Sequence, residues 1–424
     1  MDIKIDKIIY PGKSISRQEG KVIITDEGLA QETVEIEVIK ERKNYTEAKT
    51  KTVKLSSVHR IEPRCAHYRI CSPYQYIDYK EQVRIKEAQI RETFSHDLKI
   101  EKPNIIFNPS PVIWGYRNKI SLRVVRKGGL YSFAYVSFEE DTSPSAVKEC
   151  FLAPEETNSA MDFLIDVMQK NSLDFIEEVT IRQNSKKEVL LALYGKLKEE
   201  NKEQLLDISK DNTPGFIKGI VYIIKESGEK FSVWGDSFLT ESINGKVFHV
   251  GAESFFQVNL SMLEKLASDL ENSLSPDTKH EILDLYCGVG TFGILLAHKA
   301  KRMTGVESQR ENVYFLKKNI LLNNIPNFAV NKNPCEKAIN ELLQKRPHLV
   351  IMDPPRKGLS DIIINSILEK PAPALCYISC NPATLARDLK KLLRAYNLKS
   401  ISCYDFFPHT PHIETVVILR LSIS

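Results

Sequence analysis

The first 62 residues contain short segments that read as β-strands. Over residues 32–39, Val34, Ile36 and Val38 fall on one face of an extended chain, and polar residues fall on the other. A second short apolar run covers residues 21–24. Short strands of this kind predict a small β-barrel or sandwich over residues 1–62.

The pattern changes to alternating strands and helices from about residue 278. Predicted strands cover residues 282–285, 302–307, 349–352 and 375–379, with helices near residues 292–300, 309–323, 361–368 and 383–395. A last apolar run at residues 415–421 predicts a terminal strand. This order predicts a parallel sheet with crossover helices in a Rossmann-like domain over residues 251–424.

The middle of the chain mixes both patterns. Helices are predicted near residues 75–95 and 160–169, and strands at residues 117–124, 178–182 and 189–193. We therefore expect a central α+β domain over residues 63–250. The predicted fold is a multidomain α/β chain of three domains.

One predicted strand is basic on one face. Between Lys102 and Phe138 there is no acidic residue, while basic and aromatic residues are interleaved. A strand over residues 117–124 places Arg117, Lys119, Ser121 and Arg123 on one face, and Ile120, Leu122 and Val124 on the other. Such a face suits an RNA backbone, with aromatic side chains free to stack on bases; a solvated face is the alternative.

Composition narrows the class of protein. The chain has 424 residues, of which 42% are hydrophobic and 27% charged, as in soluble globular proteins. It has no run of 18 apolar residues and begins with charged positions, so we expect a cytoplasmic protein without a membrane segment. Its 8 cysteines then favour reduced thiols, metal ligands or a nucleophile over disulfides. The net charge of +4 is weak, so any contact with nucleic acid must come from local clusters.

A glycine-rich segment follows the predicted strand at residues 282–285. Gly288, Gly290 and Gly293 satisfy the spacing of a dinucleotide-binding loop between a strand and a helix. Glu307, at the end of the next strand, can accept hydrogen bonds from the ribose hydroxyls of an adenosine. NAD and S-adenosylmethionine both contain that adenosine, and a purely structural turn is the other alternative.

Three further residues lie where predicted strands end or begin. Asp353 follows one strand and precedes two prolines, Cys380 follows the next, and Glu414 comes just before the terminal strand. The carboxyl ends of strands in open α/β sheets are where ligands bind, although a buried cysteine is more often inert packing.

Taken together, these motifs resemble the RNA (uracil-5-)-methyltransferases, which are class I S-adenosylmethionine-dependent enzymes. The resemblance is carried by residues 254–259, 284–290, 353–358, 379–388 and 411–414. Residues 1–62 resemble the TRAM (OB-like) RNA-binding barrel of the branch that modifies 23S ribosomal RNA.

The resemblance implies roles for individual residues. Cys380 would be the nucleophile that adds to C6 of uracil, and Glu414 the base that removes the C5 proton. The implied cofactor-binding residues are Gln257, Tyr286, Gly288, Gly290, Thr291, Glu307 and Asp353. Phe255 would lie beside the uracil, with Lys119 and Arg123 contacting RNA. The expected partner is ribosomal RNA, and the expected state is a monomer.

Two departures from the family pattern stand out. Relatives often carry a polar or acidic residue for the adenine where this chain has Pro334. Many relatives also hold a [4Fe–4S] cluster on four cysteines, which would match Cys65, Cys71, position 74 and Cys150. Position 74 is Tyr74, so the set of thiolates is incomplete and unmetallated thiols are favoured over a metal site.

Other functions remain open from the sequence. A transfer RNA methyltransferase would carry the same motifs, and a cytosine C5 methyltransferase also uses a cysteine. A nicotinamide oxidoreductase would explain the glycines but gives no joint role to Cys380 and Glu414. A catalytically silent RNA-binding or ribosome-assembly protein would need neither residue.

Overall fold

The computed structural model describes residues 1–422, except residues 19, 136–145, 199–200, 207 and 209–212. The chain divides into two compact units. The first comprises residues 1–113, 380–387 and 401–415, and the second comprises residues 114–379, 388–400 and 416–424. The division into three domains stays a prediction. Within the part of the chain that the structure describes, no helix is long and apolar enough to span a bilayer.

The first unit begins with a six-stranded sheet. Its strands are β1 (Asp2–Lys4), β2 (Lys7–Ile9), β3 (Lys13–Gln18), β4 (Lys21–Thr25), β5 (Thr33–Glu41) and β6 (Tyr45–Leu55). They pair in the order β1-β5-β6-β4-β3-β2. Val34 and Ile36 of β5 pack with Ile3 and Ile5 in a small core, as the alternating pattern predicts. Val38 continues the alternation but is exposed, because the core does not extend to the end of β5.

Two helices and a short strand follow in the same unit. They are α1 (Tyr68–Cys71), α2 (Tyr79–Leu98) and β7 (Ile105–Asn108). Helix α2 begins at the N-cap Asp78, whose side chain accepts the N–H of Glu81. The buried face of α2 includes Ile90, Phe94 and also Lys86. The Lys86 ammonium is fully buried against Asp405 at 2.7 Å.

The second unit starts with a seven-stranded sheet and one long helix. These elements are β8 (Lys119–Lys127), β9 (Leu130–Ala134), β10 (Ala146–Val147), α3 (Glu155–Asn171), β11 (Ile176–Gln183), β12 (Val189–Gly195), α4 (Lys202–Leu206), β13 (Ile217–Ile224) and β14 (Lys230–Gly235). The strand order is β10-β9-β8-β11-β12-β13-β14. Helix α3 covers one face of the sheet, and its Met161 and Leu164 share a core with Ile120 and Leu122 of β8.

The other face of this sheet is partly covered by a hairpin of β15 (Phe238–Ile243) and β16 (Lys246–Gly251). Leu239 of the hairpin packs on Leu190 of β12 and Val221 of β13. Residues 252–259, which follow the hairpin, therefore start beside the seven-stranded sheet. They lead into α5 (Leu260–Leu274).

The remaining elements form the predicted parallel sheet and its helices. They are β17 (Glu281–Leu285), α6 (Thr291–Leu296), β18 (Arg302–Val306), α7 (Arg310–Leu322), β19 (Phe328–Asn331), α8 (Cys335–Gln344), β20 (Leu349–Met352), α9 (Asp361–Glu369), β21 (Ala374–Ser379), α10 (Pro382–Leu392), β22 (Tyr396–Tyr404) and β23 (Glu414–Leu421). In the second unit the order is β19-β18-β17-β20-β21-β23-β22.

The first five strands of this order are parallel neighbours, as the strand and helix alternation predicts. Strands β22 and β23 each belong partly to both units of the chain. Within the first unit, the end of β22 (Ile401–Tyr404) pairs in parallel with β7.

Candidate active site

The loop after β17 has an unusual backbone. Tyr286 has φ +61°, Gly288 has φ +57° and Gly290 has φ +91°, all in the left-handed region. At Gly290 a Cβ would also lie 2.4 Å from Cδ1 of Leu316, so any other residue there would force that side chain to move. A non-glycine residue such as Tyr286 reaches this region only at a cost, and such strain is frequent at functional sites. The loop closes with Gly290 as the N-cap residue of α6, which begins at Thr291.

Glu307 lies next to this loop, directly after β18. Its carboxylate accepts four hydrogen bonds: the Gly288 N–H at 3.0 Å, the Ser308 and Gln309 N–H groups at 2.7 Å each, and the Asn312 side-chain amide at 3.4 Å. The glycine loop and Glu307, which the sequence singles out separately, are therefore in direct contact. A ribose hydroxyl can replace the longest of these bonds, the one from Asn312.

Two carboxyl groups lie close together below the loop. Asp284 of β17 is 1% exposed, and one of its oxygens accepts the Gly293 N–H at 3.0 Å. Within the described residues its other oxygen, Oδ1, is buried and accepts no hydrogen bond. Burial, reinforced by the nearby charge of Asp353, raises the pKa of Asp284 to about 8. Burial also raises the pKa of Asp353, although that side chain keeps partial exposure.

The buried Oδ1 atom of Asp284 has no hydrogen-bond donor among the described residues and lies beside a glycine loop with space for a ligand. This arrangement fits a cationic cofactor that contains adenosine. Gly288 leaves space at its Cα, since a Cβ there would find no atom nearer than the Phe255 carbonyl oxygen at 4.0 Å. Gly288, Glu307, Asp284 and Asp353 would hold such a cofactor.

The residues after β16 carry two more of the predicted site residues. Phe255 is exposed and Gln257 is buried. Asn312 holds this segment through its side-chain oxygen, which accepts the Phe255 N–H at 3.3 Å. Asn118 holds it from the other side, because its side-chain amide donates to the Gln257 carbonyl at 3.1 Å. Arg182 donates a hydrogen bond to the Ser254 carbonyl.

Tyr286 is fixed at its hydroxyl end. The hydroxyl donates to Glu336 of α8 at 3.4 Å, and the same carboxyl oxygen accepts the Ser360 hydroxyl at 3.2 Å. Burial, together with the nearby thiol and carboxyl groups of Cys335 and Glu336, raises the pKa of Tyr286 above its ordinary value. Tyr286 is therefore a neutral, positioned phenol.

The two residues predicted to be catalytic both belong to the first unit. Cys380 directly follows the last residue of β21 and is half-buried. Glu414 is the first residue of β23 and is buried. Their catalytic roles stay predictions, as do the cofactor-binding roles.

The basic strand is confirmed as a strand, although it begins at Lys119 and not at Arg117. Ile120 and Leu122 are buried and Arg123 is exposed, as predicted. Lys119 differs from Arg123, because it is only partly exposed. Residues 136–138, at the end of the basic and aromatic stretch, lie outside the described residues.

The cysteines considered as metal ligands have other neighbours. The Gln75 amide donates to the sulfur of Cys65 at 3.1 Å, and hydrogen bonding with Cys71 is the main cause that lowers the pKa of Cys65 to about 4. Cys150 contacts the Tyr135 hydroxyl at 3.0 Å. Tyr74 is completely buried, and its hydroxyl accepts the Gln89 amide at 3.3 Å.

Across the described ranges, no three His, Cys, Asp or Glu side chains are grouped so that they could bind a metal ion. Cys65, Cys71 and Cys150 therefore do not fit a four-thiolate cluster site, in which the buried Tyr74 would stand at the fourth position.

Several residues of the site carry no signal in the sequence. Asn118, Arg182 and Asn312 position the segment around Phe255, but each is an ordinary polar residue within or beside a predicted element. Only the pairing of distant strands and helices brings them to this segment. Glu336 is similar, since α8 was not predicted.

Comparison with known proteins identifies the family and the fold of this chain. Residues 78–422 match the family described as tRNA (Uracil-5-)-methyltransferase. An "uncharacterized RNA methyltransferase" of Clostridium acetobutylicum is 29% identical, with 99% of this chain and 97% of that protein covered. One of Caldanaerobacter subterraneus is 27% identical, with 99% and 98% covered.

A solved structure also covers nearly the whole chain. The tRNA (uracil-54, C5)-methyltransferase of Pyrococcus abyssi, in complex with S-adenosyl-L-homocysteine, has a TM-score of 0.77 and 24% identity, with 99% of this chain and 100% of that chain covered. This likeness confirms the α/β methyltransferase fold. With the family match over residues 78–422, it follows that the chain belongs to the tRNA (uracil-5-)-methyltransferase family and is an S-adenosylmethionine-dependent RNA methyltransferase.

Proposed function

We propose that this protein methylates C5 of a uridine in RNA, with 23S ribosomal RNA as the expected substrate and Cys380 and Glu414 as the catalytic residues. The observation that carries the proposal is the family match, which runs from residue 78 to residue 422 and includes both residues. We also propose that Gln257, Tyr286, Gly288, Gly290, Thr291, Glu307 and Asp353 bind the cofactor.

The chemistry follows from the weak nucleophilicity of uracil C5. The Cys380 thiolate adds to C6, and the electron pair of the C5–C6 double bond becomes an enolate that is nucleophilic at C5. Bound S-adenosylmethionine supplies the methyl group that C5 then takes. The thiolate of a cysteine with ordinary pKa lies about 2 kcal/mol above the thiol at pH 7, so the site must favour the thiolate.

The second half of the reaction needs a base. After methylation, C5 carries both the methyl group and its original hydrogen. The Glu414 carboxylate removes this proton, the C–H electron pair re-forms the C5–C6 double bond, and the bond from C6 to sulfur breaks to release the Cys380 thiolate.

Two features bear on which RNA is the substrate, and they favour different RNAs. The six-stranded sheet over β1 to β6 is compatible with the TRAM barrel that the sequence resembles, which favours 23S ribosomal RNA. The Pyrococcus abyssi protein is named for transfer RNA and covers 99% of this chain, so a transfer RNA is the second candidate. Phe255, Lys119 and Arg123 are proposed to contact the RNA in either case.

Mass mapping of RNA from cells with and without this protein tests the proposal. We expect 5-methyluridine to disappear from 23S ribosomal RNA and to return when the protein is restored, but not with Cys380→Ala. Loss from transfer RNA alone would favour the second candidate. An unchanged RNA, together with a purified protein that methylates neither RNA, would support a silent RNA-binding protein. We further propose a monomer in the cytoplasm.

A further inference from the structure

Two positive charges face each other on neighbouring strands of the seven-stranded sheet. Lys119 of β8 is the direct antiparallel partner of Arg182 of β11. Directly opposite side chains in such a pair lie roughly 4.5–5.5 Å apart at Cβ, and like charges at this distance are destabilising. Burial and the charge of Arg182 together lower the pKa of Lys119 to about 8.

Neither cation has an acidic partner within the described residues. Arg182 is 3% exposed and donates to the Ser254 carbonyl, but its Nε is buried without a hydrogen-bond partner. Among the described side chains, none forms an ion pair or a hydrogen bond with Lys119. Glu253 adds a favourable charge near Lys119, yet the carboxylate of Glu253 is bound to Lys230 at 3.4 Å.

Two other cations with largely buried side chains, Lys86 and Arg60, are paired. Lys86 meets Asp405 at 2.7 Å, and Arg60 meets Glu27 at 2.6 Å and Glu32 at 2.7 Å. A buried charge without a counter-charge is strongly unfavourable. The Lys119 and Arg182 pair is therefore expected to receive an anion that the free protein does not itself contain.

The pair lies beneath the segment that carries Phe255. Arg182 holds the carbonyl of Ser254, whereas the carbonyl of the next residue, Phe255, faces the Gly288 loop. The cation pair therefore contacts the Ser254 peptide group, and the glycine loop lies next to the Phe255 peptide group. An anion at the pair would come from a group beside Phe255, away from the loop expected to hold the cofactor.

We propose that Lys119 and Arg182 form a binding site for a phosphodiester group of the RNA next to the target nucleotide. This inference rests on the proposed function, since it assumes that the ligand is RNA. Lys119, which is partly exposed, contacts the phosphate, and Arg182 adds a second positive charge from below while it holds the Ser254 carbonyl. The site thereby links the RNA backbone to the position of Phe255.

Binding of two oligouridylates tests the site without turnover. One has normal phosphodiester linkages, and the other has uncharged methylphosphonate linkages. We expect Lys119→Met to weaken binding of the charged oligomer roughly ten- to hundredfold, the effect of losing a hydrogen bond to a charged group. Binding of the uncharged oligomer should not change. The melting temperature of the free variant should rise or stay equal, because an unpaired buried charge is removed.

Lys225→Met is the matched control. Lys225 belongs to the same unit, but it is bound to Glu178 at 2.7 Å and Glu177 at 3.1 Å, so this variant should bind both oligomers like the wild type. Arg182→Gln keeps an amide donor for the Ser254 carbonyl and should also lose affinity for the charged oligomer only. If a folded Arg182→Gln protein keeps its affinity for the charged oligomer, Arg182 only supports the segment around Ser254. That result would overturn the proposed role of Arg182 in binding the phosphate.

Two other results overturn the inference. One is an unchanged affinity of Lys119→Met for the charged oligomer. The other is a comparable loss of affinity for S-adenosylhomocysteine, which would assign the pair to the cofactor carboxylate. The proposed function fails separately, if the wild-type protein methylates no RNA while its binding of the charged oligomer still depends on Lys119.

Discussion

The carboxylate of Glu307 accepts the main-chain N–H of Gly288 at 3.0 Å, so the acidic residue after β18 is joined directly to the loop after β17. The same carboxylate also accepts the N–H groups of Ser308 and Gln309. Glu307 therefore orders the loop and, in the proposed complex, contacts the ribose of the cofactor.

Replacing Glu307 with glutamine tests this double role. The amide nitrogen of glutamine cannot accept hydrogen bonds. The N–H groups that donate to one of the two Glu307 carboxylate oxygens therefore lose their acceptor. We expect S-adenosylhomocysteine to bind roughly ten- to hundredfold more weakly, as for loss of a charge-assisted hydrogen bond. Calorimetric titration measures the change. Glu341→Gln is the control, because Glu341 of α8 is exposed and forms an ion pair with Lys345, the residue that follows the helix. An unchanged affinity would restrict Glu307 to loop structure.

Asp284 gives a prediction for stability against pH. Its folded pKa of about 8 lies above the ordinary value of 3.8. Between these values the folded protein keeps a proton that the unfolded chain has lost. The free energy of unfolding should therefore fall as the pH rises from about 4 to about 8 and level off above that. Asp284→Asn removes the titration but keeps an acceptor for the Gly293 N–H.

We expect Asp284→Asn to be more stable than the wild type, by an amount that grows to a few kcal/mol at roughly pH 8. Urea unfolding at pH 5, 7 and 8.5, without cofactor, measures the difference. Asp277→Asn is the contrasting control, since hydrogen bonding from Lys279 lowers the pKa of the exposed Asp277. That variant should lose stability above pH 4. If the difference in free energy of unfolding between Asp284→Asn and wild type does not change with pH, the raised pKa of Asp284 is contradicted.

The third prediction concerns iron. Because the buried Tyr74 stands where the family resemblance implies a thiolate, protein purified without oxygen should be colourless and contain little iron and sulfide. Cys65→Ser and Cys150→Ser should leave the metal content unchanged. Metal analysis and the visible spectrum provide the measurement. A brown protein that these substitutions bleach would show that another ligand replaces the missing cysteine.

The sequence predicts the elements of this fold better than their contacts. The predicted strands at 282–285 and 349–352 are correct because both are fully buried and all their residues except Asp284 are apolar. Strand β19 (Phe328–Asn331) is half-buried and short, so its four residues carry no periodic signal. Helix α8 (Cys335–Gln344) was also missed, although it carries Glu336, which holds Tyr286.

The same limit applies to the candidate site. Alternation along β8 predicts that Lys119 and Arg123 share a face, and the structure agrees. It does not predict that β11 places Arg182 opposite Lys119, because strand register depends on residues about 60 positions apart in the chain. The motifs point to Gly288 and Glu307 individually, whereas the hydrogen bond between them needs the parallel pairing of β17 and β18.

The last prediction separates the proposed roles of Cys380 and Glu414. Cys380→Ala should abolish both methylation and any covalent complex with RNA, because no enolate forms without addition to C6. Glu414→Gln preserves the shape of the side chain but removes the base. Addition and methyl transfer can then proceed, while removal of the C5 proton stalls.

A methylated protein–RNA adduct should therefore accumulate with Glu414→Gln and survive denaturation. A denaturing gel with labelled RNA and a labelled methyl donor detects it, and the double variant Cys380→Ala with Glu414→Gln serves as the control that should give no band. If Glu414 only anchors the start of β23, the single variant should instead lose activity or stability in general and trap nothing. A folded Glu414→Gln protein that retains cofactor binding but yields no adduct would exclude Glu414 as the base that completes the reaction.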